Sequence, residues 1–121
     1  MRLILLCLAL VTPPALAQQT SLLEPPACIG AFAAESAGAS PALKARMNAG
    51  YKFAANEHLK AHPNFTAEDF KFLVDTKMIE LTTGMKAGKI TPDQIDARAN
   101  ACETQYGLPV TDFASLRKPQ P

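Results

Sequence analysis

Cys28 and Cys102, His58 and His62, and Glu35 are the side chains whose types and spacing invite chemistry in this 121-residue sequence. Catalytic thiol pairs usually sit close together, as Cys-x-x-Cys, and Cys28 and Cys102 stand far apart. A structural bridge between them is therefore expected. It would enclose about 75 residues and contribute roughly 4 kcal/mol by restricting the unfolded chain. His58 and His62 lie four residues apart in Glu-His-Leu-Lys-Ala-His, so on a helix both rings could reach one metal ion. The protease pattern His-Glu-x-x-His is absent, because Glu57 precedes the first His. With no third His, the pair is an incomplete metal set, and the competing reading is two helix-end residues whose charged form the dipole favours. Glu35 projects near the inward face of a predicted first helix, where it is expected to pair with Arg98 or Lys44 or to line a site.

Other constellations exclude more than they support. Gly84 to Thr91 has glycines one residue too close for a phosphate loop, and its Thr is not adjacent to the Lys. Ser21, Ser36, Ser40 and Ser115 form no nucleophile elbow. Without Cys-x-x-Cys-His there is no covalent haem, and no cofactor is expected. No catalytic residue stands out. Met47, Met78 and Met85 with Phe70 and Phe72 make either an ordinary core or an adaptable apolar pocket.

The first 17 residues carry export chemistry. Arg2 is followed by the apolar run Leu3 to Val11, and Ala15-Leu16-Ala17 is a small-x-small cleavage signal. The run is about half the ~20 residues a membrane span needs. Cleavage after Ala17 removes 17 of 121 residues and leaves 104, discarding Cys7 with the signal. Arg2 leaves too, so 12 basic residues become 11 against 11 acidic ones. A neutral chain lacks the basic field needed for nucleic acid or for docking on an anionic membrane. Localisation is expected to be periplasmic or secreted.

The elements that must position these residues read as helices. Residues 18–26 form a Pro-rich, flexible leader, and a short helix follows over 27–37 with Cys28, Ala31, Phe32 and Glu35 inward. Ser40-Pro41 opens a second helix that ends at His62-Pro63, with the seam Leu43, Met47, Gly50/Tyr51, Ala54 and His58. Mid-helix Gly50 costs ~1 kcal/mol relative to Ala, which close backbone contact with a neighbour would explain. Thr66 caps a third helix whose inward stripe, Phe70, Val74, Met78, Leu81 and Met85, is widened by Phe72, Leu73 and Ile79, which makes it the most hydrophobic of the mature chain and the expected packing centre. Thr91-Pro92 with Gln94 opens a fourth, and its seam is Ile95, Ala99, Cys102 and Tyr106. Gly107 stops it. The tail, 108–121, is expected to hold one turn around Asp112 to Leu116.

The expected fold is all-α: a small antiparallel bundle of about four helices over residues 27–107, clamped by one disulfide. The general plan resembles that of small periplasmic chaperones and toxin-inhibitor proteins, a likeness of architecture that implies no residue roles. The expected function is non-enzymatic binding of a protein or peptide. Phe53 and Leu59 lie off the main seam of the second helix and are the candidate contact residues. The alternative is a carrier of a small apolar ligand or metal, using the Met/Phe set or the His58/His62 pair.

Overall fold

The computed structural model describes residues 22–117, and the expected signal peptide, the start of the leader and the last four residues lie outside that range. Among the described residues five helices follow one another: α1 (Pro25–Ser36), α2 (Pro41–Ala61), α3 (Ala67–Lys86), α4 (Pro92–Gln105) and α5 (Phe113–Arg117). No strand occurs among the described residues.

Local chemistry explains most of the boundaries. Ser40 Oγ accepts from the Leu43 amide at 3.3 Å, and Pro41 occupies the first turn of α2, where an amide would be unpaired anyway. Thr66 and Asp69 form a reciprocal capping box on α3, and Thr91 and Gln94 form another on α4. Glycines with positive φ follow three helices: Gly38 at 70°, Gly88 at 74° and Gly107 at 71°. A side chain is strained in that region, so these stops require glycine.

The packing centre is α1, which corrects the expectation that α3 would hold that place. α1 packs against α2, α3 and α4. Six of its 12 residues are buried: Cys28, Ile29, Gly30, Ala31, Phe32 and Glu35. In α3 only Leu81 is buried. The physical reason is size. Gly30 and the alanines of α1 allow close approach on several sides, and a Cβ on Gly30 would lie 2.9 Å from the stem of Lys77 in α3. The Phe32 ring lies over Gly50 of α2, where an added Cβ would sit 2.6 Å from ring carbons. Gly50 thus accepts its helix-propensity cost for a side-chain contact with Phe32.

The Cys28–Cys102 bridge joins α1 to α4 with a Cα–Cα distance of 5.7 Å, and both residues are fully buried. Around it the core gathers Phe32, Leu43, Met47, Ala54 and Ala99. Phe113 of α5 belongs to the same core, so the chain beyond Gly107 takes part in packing. The leader is also tied down at Leu23, whose amide donates to Gln105 Oε1 and whose carbonyl accepts from Gln105 Nε2, both at 2.8 Å. A buried disulfide suits an oxidising compartment. No described helix is long and apolar enough to cross a membrane.

Candidate functional site

Position 35 lies on the face of α1 that also carries Cys28, Ala31 and Phe32, one turn below Phe32, so helix periodicity turns its carboxyl inward. Only 7% of Glu35 is exposed. Its partner is neither Arg98 nor Lys44. Arg117, at the end of α5, donates from Nη2 to Glu35 Oε1 at 2.5 Å. The same guanidinium holds Asp96 of α4 through two bonds, Nη1 to Oδ2 at 2.9 Å and Nη2 to Oδ1 at 2.8 Å. Among the described residues one cation therefore serves two carboxylates drawn from α1 and α4, and no donor of theirs reaches the buried Oε2 of Glu35.

Electrostatics follow from that shortage of positive charge. Burial pushes Glu35 up, the adjacent Asp96 carboxyl adds to the effect, and Arg117 opposes it, leaving the pKa at about 8. Burial would also raise Asp96, but hydrogen bonds from Arg117 and Glu35 outweigh it and hold Asp96 below its usual value. Of the two carboxyls Asp96 is the one that favours the charged form beside Arg117, and Glu35 is the one that takes up a proton first. Two surface depressions meet at Glu35. One, of about 990 Å³, runs from the end of α1 past the start of α2 to Arg117. The other, of about 310 Å³, lies between α1, α3 and α4 and is lined by Met78, Leu81, Met85, Pro92 and Ile95.

The His58 and His62 rings do lie together, with centroids 4.5 Å apart and planes tilted by 35°. His58 also meets Phe65 edge-on at 4.5 Å and Phe70 at 6.0 Å, and is only 8% exposed. Burial, then the neighbouring His62, lowers the His58 pKa, which reverses the helix-end expectation for that residue. Its neutral ring packs in an aromatic cluster. Among the described residues, no group of three His, Cys, Asp or Glu side chains is placed to hold a metal ion.

The Met/Phe set is dispersed. Met47 is buried in the core, Met78 and Met85 line the α3 groove, Phe70 joins the His58 cluster and Phe72 is exposed. Phe53 is 38% exposed, with one face of its ring stacked on Tyr106 at 4.6 Å, and Leu59 is half-buried. The largest exposed apolar side chains of the helices are instead on α3, Phe72 at 74% and Ile79 at 66%. They are seven residues apart and so share a face. The sequence pattern assigned both to the widened inward stripe, but α3 packs through Phe70, Leu73, Val74 and Leu81 and leaves the face with Phe72 and Ile79 outward.

A last polar group is structural. Glu103 is buried and accepts from the Thr111 amide, the Thr111 hydroxyl and Asn100 Nδ2, while Arg46 donates to Thr111 Oγ1 and to the Val110 carbonyl. This network fixes the segment leading into α5, and so delivers Arg117 to Glu35. It was not foreseen, since Glu103 sits beside Cys102 with no spacing signal of its own. No protein-family model matches the chain, and neither curated proteins nor solved structures return a match.

Proposed function

We propose that this protein is exported, with cleavage after Ala17, and acts outside the cytoplasm as a non-enzymatic binder of another protein or peptide. In this reading its helices form an antiparallel bundle held by the Cys28–Cys102 bridge. The observation that carries the proposal is the outer face of α3, where Phe72 and Ile79 stand two helical turns apart and largely in water. Singly exposed apolar residues are ordinary, but an aromatic and a β-branched side chain on one helix face supply the two anchors a helix-in-groove contact uses. The Lys71–Asp75 ion pair beside them gives that face a polar edge. Phe53, with Leu59 on the same helix, supplies a second, smaller apolar contact.

The test is a photo-reactive phenylalanine analogue at position 72, introduced in the host. The proposal expects one discrete cross-linked polypeptide, lost when Ile79→Asp is added. Ile79→Asp alone should change stability by no more than about 0.5 kcal/mol, as for exposed sites in general. Cross-linking that is absent, or unaffected by Ile79→Asp, would remove α3 as the contact face.

A further inference from the structure

We propose that the groove between α1, α3 and α4 is a binding site for a small apolar amine, whose ammonium group takes the uncompensated Glu35 carboxyl as its counter-ion. The proposal does not rest on the outer face of α3 binding a partner. Three observations meet at the groove. Its walls are apolar, formed by Met78, Leu81, Met85, Pro92 and Ile95. Among the described residues its one charged lining group is Glu35, which is 93% buried by its 7% exposure and whose Oε2 receives no hydrogen bond from a protein donor. And among the described residues the charge count is unbalanced, because Arg117 is shared between Glu35 and Asp96 and is held by Asp96 through two bonds.

A buried carboxylate without a full counter-charge must take up a proton or a cation. In the empty groove it takes the proton, which it donates to the neighbouring Asp96 carboxylate. An ammonium group bound at Oε2 supplies the missing charge and hydrogen bonds, and the Glu35 proton is released to solvent. The alkyl part then lies along the two methionines, which repack readily around ligands of different shape. A neutral ligand of equal length gains the apolar walls without the charge pairing, and an anionic one meets two carboxyl groups that disfavour it. The larger cleft that shares Glu35 is less suited, because Arg117 lines it and repels a cation. The charged groups acting on Glu35 are Asp96 from α4 and Arg117 from α5, and the α3 residues of the groove carry no charge.

The probe is n-octylamine, titrated calorimetrically into the oxidised mature chain, with n-octanol and octanoate as controls of equal length. Octylamine should bind one per chain and at least tenfold more tightly than either control. Because ligand and proton compete for one carboxyl, its affinity should rise close to tenfold per pH unit from 5.5 to 7.5 and flatten above 8. Titration in two buffers of different ionisation enthalpy should show nearly one proton released at pH 6.5. Shortening the chain by one methylene should weaken binding about fourfold. Glu35→Gln should lose tenfold or more for octylamine and leave octanol unchanged. The wild-type pH profile and proton count decide the matter even if that variant folds poorly. Equal affinity for octanol, a flat pH profile, or no octylamine binding at millimolar concentration would each overturn the proposal.

Discussion

Reducing the Cys28–Cys102 bridge should release α4 before it disturbs the rest of the chain. α4 packs on α1, and the bridge ties those two helices covalently at the centre of the core. The cysteines are 74 residues apart in sequence, and closing a loop of that length is worth about 4.4 kcal/mol in the chain-entropy treatment. That is close to the whole stability of a marginal domain. For a chain of this size it corresponds to a fall in Tm of roughly 20 to 35 °C. The assay compares urea unfolding of the oxidised protein with that of the same protein in reductant, which leaves every packed atom except the S–S bond in place. Hydrogen exchange then locates the loss, and amides of α4 should lose more protection than those of α2. Double substitution to alanine would mix the cross-link with the loss of two fully buried sulfurs, so it is the secondary variant. A reduced protein within about 1 kcal/mol of the oxidised one, with α4 still protected, would refute the reasoning.

Glu35 sets the pH dependence. Its folded pKa of about 8 lies above the ordinary 4.5, so the folded chain binds more protons between those values, and stability should fall as pH rises through that window. Denaturant midpoints measured from pH 4.5 to 9 should slope downward in the wild type and flatten in Glu35→Gln. Gly50→Ala drives a Cβ to 2.6 Å from the Phe32 ring. Overpacking of this kind costs about 1–3 kcal/mol, so the variant should be destabilised in spite of the better helix former, and adding Phe32→Leu should recover part of the loss. Phe53→Ala should cost about 1 kcal/mol, the worth of its stacking on Tyr106, where a fully buried Phe would cost about 3. Thermal denaturation distinguishes the two.

Features governed by short-range chemistry were legible in the sequence. The caps at Ser40, Thr66 and Thr91 and the stop at Gly107 depend on residues three or four positions apart, and each occurs as its pattern implies. The seam of α2 was equally plain, because Leu43, Met47, Gly50, Ala54 and His58 keep one period. Which helix would be central was not legible. An apolar stripe shows that a face can be buried and says nothing of how many neighbours a helix will have. α3 has the stronger stripe, yet α1, short and rich in Ala and Gly, admits three helices at close range. The partner of Glu35 was hidden for a different reason. Arg117 is 82 residues away, and it arrives only because Glu103, Asn100 and Arg46 anchor the segment before α5 and Phe113 enters the core. Phe72 and Ile79 show the converse error, since period alone cannot say that a stripe is wider than the surface available to cover it.

Native mass spectrometry of the protein taken from its own host tests partner binding most directly. The account predicts a mature chain of 104 residues, the remainder of 121 after cleavage at Ala17, with no free thiol. It predicts that this chain is recovered in a complex with a second polypeptide of defined mass. That complex should be lost when Phe72→Asp and Ile79→Asp are combined, with the disulfide and the helix content unchanged. A chain recovered alone, or a polypeptide complex that survives both substitutions, would contradict it.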